Sequence, residues 1–204
     1  VPQGTPINIQ HKRHHFRFTG TVYGVNLTDP AKTGADWLAP KTRTMKQWYQ
    51  TFLTTRFNSI VLEDAGKWIW NEPQRDVLTL ATVDAILNWA KQNKMGVRVH
   101  GAVLYSAQEW ATPDWVKALQ QQALGGNMSA KQDYRQQITE RIGYMVSNRA
   151  HLYHTFEVIN VDNFTLVDKT IFGYTGLADI FNEATAAAQG KASMIVNEAQ
   201  ILTG

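Results

Sequence analysis

The stretch Phe156-Glu157-Val158-Ile159-Asn160-Val161 decides how the rest of the chain is read. It is the fourth of five strand-like runs, and with the residues before it the strand is expected to span Leu152 to Val161. The others lie at Phe16 to Tyr23, Ser59 to Leu62, Gly96 to Val103 and Ser193 to Asn197. Helical periodicity fills the intervals, at Thr42 to Thr55, Ala81 to Gln92, Pro113 to Leu124, Lys131 to Ser147 and Leu177 to Ala188. Strands that alternate with helices are the pattern of βα units, so the sequence predicts an α/β fold with about five parallel strands.

Two of the helical segments carry apolar stripes at three- and four-residue spacing. These are Val83, Ile86, Leu87 and Ala90 in one, and Ile138, Ile142, Met145 and Val146 in the other. Such stripes put one helix face against a sheet and read as core. Asp76 or Thr82 is placed to cap the first of these helices, and Gly96 follows its end by a short turn. Gly125-Gly126-Asn127 breaks the chain between two helices and not between two domains. There are no tandem repeats, so residues 1–204 are expected to form one domain, with 1–15 as an N-terminal extension.

Composition narrows the function classes. At 204 residues, 44% apolar and 11% aromatic, the chain can bury a substantial core. No run of about 18 apolar residues occurs, so no membrane-spanning helix is expected. The opening VPQGTPINIQ lacks the basic-then-apolar pattern of a signal peptide and suits a mature N-terminus, so an extracellular or secreted setting is expected. A net charge of +3 from 20 basic and 17 acidic residues, spread along the chain, leaves no footprint for nucleic acid.

Cysteine is absent, which excludes disulfides and thiolate metal sites. The His11-Lys12-Arg13-His14-His15 cluster reads as a polar rim, because neighbouring side chains on a strand point to opposite faces. His151 and His154 lack a third ligand nearby in sequence, and Gly24, Gly34 and Gly66 are too scattered for a phosphate loop. No metal or cofactor is therefore expected. Sequons at Asn26, Asn127 and Asn163 would allow glycosylation in a eukaryotic secretory pathway.

Short motifs in fixed order carry a sharper reading. They are Phe16-Arg17-Phe18-Thr19-Gly20-Thr21-Val22; Phe57-Asn58 followed by Glu63-Asp64-Ala65-Gly66-Lys67-Trp68 and Glu72-Pro73; Val97-Arg98-Val99-His100; Pro113-Asp114-Trp115-Val116; the strand 156–161; and Ile195-Val196-Asn197-Glu198. Together, from about Phe16 to Ile201, they resemble family 10 glycoside hydrolases, the endo-β-1,4-xylanases. That resemblance implies a partial (β/α) barrel of TIM type, with ligands held by the loops at the C-terminal ends of the strands. By motif position it makes Glu63, Lys67, His100 and Asn160 the residues that hydrogen-bond the glycone sugars, with Trp68 beside them. These residue types suit contact with a sugar, since carboxylates accept from its hydroxyls, Lys and His donate, and Trp offers an apolar face.

Departures from the family pattern fall where chemistry happens. Strand 156–161 resembles a family strand that ends in the general acid/base Glu, and that position is Val161 here. The family's nucleophile strand, T-E-L-D-like, does not occur in these residues, although retaining glycosidases need two carboxyls about 5 to 5.5 Å apart. The W-H pair after the third strand is Leu104-Tyr105, the Asn after Glu63 is Asp64, and the Trp and Asp that open the fourth strand are Phe156 and Glu157. Asp162 is the carboxylate next to the missing acid, and only a bulged loop would turn it to the same face.

The resulting expectation is a family 10-like domain, catalytically impaired, that binds a β-1,4-linked polysaccharide or oligosaccharide. The alternatives are an active endo-xylanase-type hydrolase with relocated carboxylates or a nucleophile from another chain, and a structural protein that reuses the barrel scaffold. Open strand edges would favour self-association or a complementary chain.

Overall fold

The computed structural model describes residues 2–6, 16–22, 45–100, 103–105, 111–161 and 167–198, with the main chain alone at 45, 46, 105, 161 and 198. Six strand segments form one parallel sheet: β1 (Thr19–Val22), β2 (Ser59–Leu62), β3 (Gly96–Val99), β4 (Leu104–Tyr105), β5 (Thr155–Val161) and β6 (Ser193–Glu198). Thr19, Ser59 and Gly96 stand in register across β1, β2 and β3. One edge of β5 pairs with β6, Thr155 standing opposite Ser193.

The other edge of β5 is shared. Arg98 and Val99 of β3 face Thr155 and Phe156, whereas Leu104 and Tyr105 of β4 face Ile159 and Asn160. β3 and β4 are therefore two pieces of one stave, and the barrel portion has five staves. The chain advances five positions from Val99 to Leu104 while its partner advances three, from Phe156 to Ile159, so the register shifts by two between β3 and β4. This is why the strand expected at Gly96 to Val103 stops at Val99 and resumes at Leu104.

Helices follow the staves: α1 (Met45–Arg56), α2 (Trp68–Asn71), α3 (Ala81–Gln92), α4 (Asp114–Leu124), α5 (Met128–Ile142) and α6 (Val167–Ala188). The stripe of α3 is fully used, Val83, Ile86, Leu87 and Ala90 being buried against the sheet. Neither Asp76 nor Thr82 caps it. The cap residue is Leu80, without a side-chain hydrogen bond, while Asp76 sits in the turn before it at φ 63°. Asn127 caps α5 by accepting from the Ala130 amide. Past Ile142, α5 passes into a π turn, Gly143–Ser147. α6 starts well before the expected Leu177, because Gly173 at φ 68° and ψ 175° interrupts a longer helix. An L side chain rarely adopts that backbone, which is why glycine stands there.

A buried polar cluster joins three helices. Tyr134 of α5 donates to Asp168 of α6 at 2.6 Å, and Gln120 of α4 donates to Tyr134 at 2.9 Å and to Asp168 at 3.3 Å. Burial pushes the Asp168 carboxyl up to about 6, although the hydrogen bonds from Tyr134 and Gln120 oppose the rise. The folded state therefore prefers Asp168 protonated. The penalty for its charge is fully present above about pH 6 and is relieved as pH falls towards the ordinary value of 3.8.

His154 works in the opposite sense, because burial first, and then Arg17 and Arg98, lower it to about 4. The wild-type pH profile alone thus mixes several terms, and the informative quantity is a difference between variants. Asp168→Asn keeps the acceptor and removes the charge, so it should be more stable than wild type at pH 7, by on the order of 1–3 kcal/mol. That gap should close between pH 6 and 4 in urea titrations. A gap independent of pH would show that the carboxylate is not desolvated.

Candidate functional site

All five staves run parallel, so their C-terminal ends lie on one side of the sheet, and the residues that follow those ends meet there. Glu63 and His100 are the first residues past β2 and β3, and the ladder continues through them. The Glu63 amide donates to the Val22 carbonyl at 3.1 Å, and the His100 amide donates to the Leu62 carbonyl at 3.3 Å. Their backbones are fixed by the sheet and not by a loop.

Each side chain then has a built partner. Lys67 is completely buried, with its Nζ 3.5 Å from Glu63 Oε1 and 3.7 Å from Asp64 Oδ1, and both carboxylates keep about a third of their surface in solvent. A buried cation needs such partners, since an uncompensated charge in the interior is costly. His100 Nδ1 lies 2.7 Å from Glu157 Oε2 on β5. Burial raises the Glu157 carboxyl, but hydrogen bonds from His100 and then Arg98 outweigh it and hold the group below the usual carboxylate range. Glu157 is therefore an ionised acceptor, and His100 Nδ1 carries the proton it donates.

Arg98 Nε closes the other oxygen of Glu157 at 2.6 Å. With both oxygens engaged and no exposed surface, Glu157 orients His100 and presents no face to a substrate. Asn160 lies three residues further along β5, roughly 10 Å at strand rise. It accepts from Asn197 Nδ2 of β6 at 3.2 Å. The structure thus gathers Glu63, Lys67 and His100 at the ends of β2 and β3, and sets Asn160 beside Asn197 farther up.

Trp68 is nearly fully buried. Its ring meets Trp115 edge-on at 5.7 Å and lies nearly parallel to Tyr134 at 6.4 Å, while Nε1 donates to Glu72 Oε2 at 3.0 Å. It forms the wall behind Lys67, with its faces occupied by protein. Asp162 lies outside the described residues, as do Asn26 and Asn163. Val161 ends β5, and its main chain stands opposite Glu198 of β6. Among the described residues no group of three His, Cys, Asp or Glu side chains is arranged to hold a metal. An open groove of about 630 Å³ between α5 and α6, lined by Lys131, Gln132, Thr175 and Asp179 among others, contains none of the candidate residues.

Three partners were not read from the sequence. Arg98 and Glu157 had a visible signal, a charge of each sign inside otherwise apolar strands. Glu72 is the third: its Oε2 accepts from Trp68 and Tyr144, and its Oε1 from the Asp76 amide at 2.9 Å, which locks the end of α2.

Comparisons with known proteins bear on the family and the fold. The family model described as Glycosyl hydrolase family 10 matches residues 31–201, and the chain belongs to that family. Endo-1,4-beta-xylanase B of Humicola insolens is 40% identical over 67 residues, 33% of this chain and 18% of that protein. Anti-sigma-I factor RsgI6 of Acetivibrio thermocellus is 34% identical over 71 residues, 35% of this chain and 9% of that protein.

Among solved structures, xylanase 10B from Thermotoga petrophila in complex with xylobiose superposes with a TM-score of 0.63 at 17% identity, covering 89% of this chain and 48% of that one. Xylanase B from Clostridium stercorarium gives 0.63 at 18% identity, covering 90% and 52%. The fold is that of part of a family 10 (β/α) barrel, and the chain spans about half the length of the xylanases it superposes on.

Gly66 is the residue that permits the loop after β2. A Cβ there would lie 2.6 Å from Val99 Cγ1, a buried atom of β3 that cannot swing away. Gly66→Ala is expected to destabilise the protein by about 1–3 kcal/mol through overpacking. In combination with Val99→Ala it should cost less than the sum of the two single changes in urea unfolding. Additive losses would place the loop away from β3.

Proposed function

We propose that this chain is a saccharide-binding member of the family, with a glycone-side surface made by Glu63, Lys67, His100 and Asn160, and that proton transfer at position 161 is lost. The observation that carries the reading is the juxtaposition at the ends of β2 and β3. Glu63 and His100 are held there by the sheet, and Lys67 stands between two half-exposed carboxylates. Partly solvated carboxylates and imidazole at strand ends offer the acceptor and donor array that paired sugar hydroxyls need.

Xylobiose in the Thermotoga petrophila complex points to β-1,4-linked xylose as the ligand class to try first. A polymer of that kind is met outside the cell, which makes an extracellular setting part of the same proposal. Valine has no ionisable group, so a general acid at position 161 is absent on chemical grounds alone.

Calorimetric titration with xylohexaose tests the binding claim. Heat is expected at millimolar ligand for the wild type, with at least a severalfold weaker response in Glu63→Ala, because removing one partner of a hydrogen-bonded charged group costs about 1.5–3 kcal/mol. Absence of heat in the wild type would remove the claim.

One observation favours a second reading, hydrolysis with a relocated carboxylate: Glu198 stands beside Val161 in the register of β5 and β6. Release of reducing sugar from xylan that disappears in Glu198→Gln would establish it. No release from either protein is the outcome expected under the first reading.

A further inference from the structure

Arg141 is a fully buried arginine, and it lies on the stripe of α5 that otherwise presents Ile138 and Ile142 to the core. A guanidinium in that position is costly to desolvate unless its donors are used. Its described bonds lead to one segment.

Nη2 donates to the Gly66 carbonyl at 2.8 Å and to Asn71 Oδ1 at 3.3 Å, and the cation sits 5.0 Å from the centre of the Trp68 ring. Nη1 donates to the Tyr144 hydroxyl at 2.8 Å, which donates in turn to Glu72 Oε2 at 3.0 Å. Every one of these paths ends between Gly66 and Glu72, the segment that contains Lys67 and begins three residues after Glu63. On its other side Gly66 is pressed against Val99 of β3. The loop is thus clamped between the sheet and one side chain of α5.

We propose that Arg141 is a positioning residue for the saccharide site: it sets the 63–72 segment, and through it the placement of Lys67 against Glu63, without touching ligand. The inference rests on the saccharide-binding reading above. It depends on the planar fork of arginine, which reaches a carbonyl, an amide oxygen and a hydroxyl at once while its face lies on an indole. A lysine ammonium is a point donor and cannot span that set.

The test compares Arg141→Lys and Arg141→Met with Ile138→Val, a change in the same helix that loosens the core and leaves the guanidinium in place. Hydrogen exchange is read at the amides of Lys67, Ile69 and Trp70, which are bonded within the segment or to Ala111. Xylohexaose affinity is read on the same proteins.

Both arginine variants should exchange these amides at least roughly tenfold faster than Ile138→Val and bind xylohexaose roughly tenfold more weakly, the size expected for losing hydrogen bonds from a charged donor. Ile138→Val should lower the melting midpoint and leave affinity unchanged. Exchange no faster than in Ile138→Val overturns the proposal. So does faster exchange with wild-type affinity, which would make Arg141 a stabilising residue only. If exchange rises as expected and the wild type itself gives no heat with xylohexaose, the clamp stands and the saccharide reading is what fails.

Discussion

The buried Glu157 carboxylate is the interaction on which the arrangement of the staves rests. β3 and β5 share only the Arg98–Thr155 and Val99–Phe156 pairs before β3 ends, a short ladder for two neighbouring staves. Glu157 extends it with side chains, taking Arg98 on one oxygen and His100 on the other. A buried carboxylate costs several kcal/mol to desolvate, and that cost is offset only when both oxygens are satisfied by charged or strongly polar donors. Here they are. The same contact aims the His100 ring, so the group that ties the sheet together also orients a candidate binding residue.

A second constraint acts on the segment after β2. Lys67 can be buried because Glu63 and Asp64 lie within 4 Å of its ammonium, and the turn that brings all three together needs a residue without a side chain at Gly66. Trp68 then packs among Trp115, Tyr134 and Arg141. Tyr134 continues through its hydroxyl to Asp168 at the start of α6. Polar contacts therefore run from the strand ends into the helical layer, and the site shares its supports with the core. Changes in α4, α5 or α6 are felt at the strand ends for that reason.

How much of this is legible in the sequence depends on the range of the interaction. Ser59–Leu62 and Ala81–Gln92 are expected with their observed bounds, since a short apolar run between turn signals and a strong 3.6-residue stripe are local patterns. The first half of α6 is not legible, because Phe172, Gly173 and Tyr174 break the periodicity at the point where the helix itself breaks. The split third stave escapes for a related reason, since a register shift is set by the partner strand. Glu63 with Lys67 is a spacing of four and is visible. The Arg98 and His100 bonds to Glu157, and that of Arg141 to Gly66, join residues 57 to 75 positions apart and leave no local trace beyond a charged letter in an apolar pattern.

That separation of ranges bears on the chemistry. Of the groups proposed to hold a sugar, Glu63, Lys67 and His100 rest on β2, β3 and the segment clamped behind them and Asn160 on β5, whereas the position to which the family resemblance assigns the acid/base is the last residue of the fourth stave, which is valine here. Loss of one side chain at the tip of β5 leaves the Glu157 contact, the Lys67 turn and the Asn160–Asn197 bond as they are, because none of them involves the side chain at 161. Valine carries no ionisable group, and the polar contacts described at the strand ends are made by other residues.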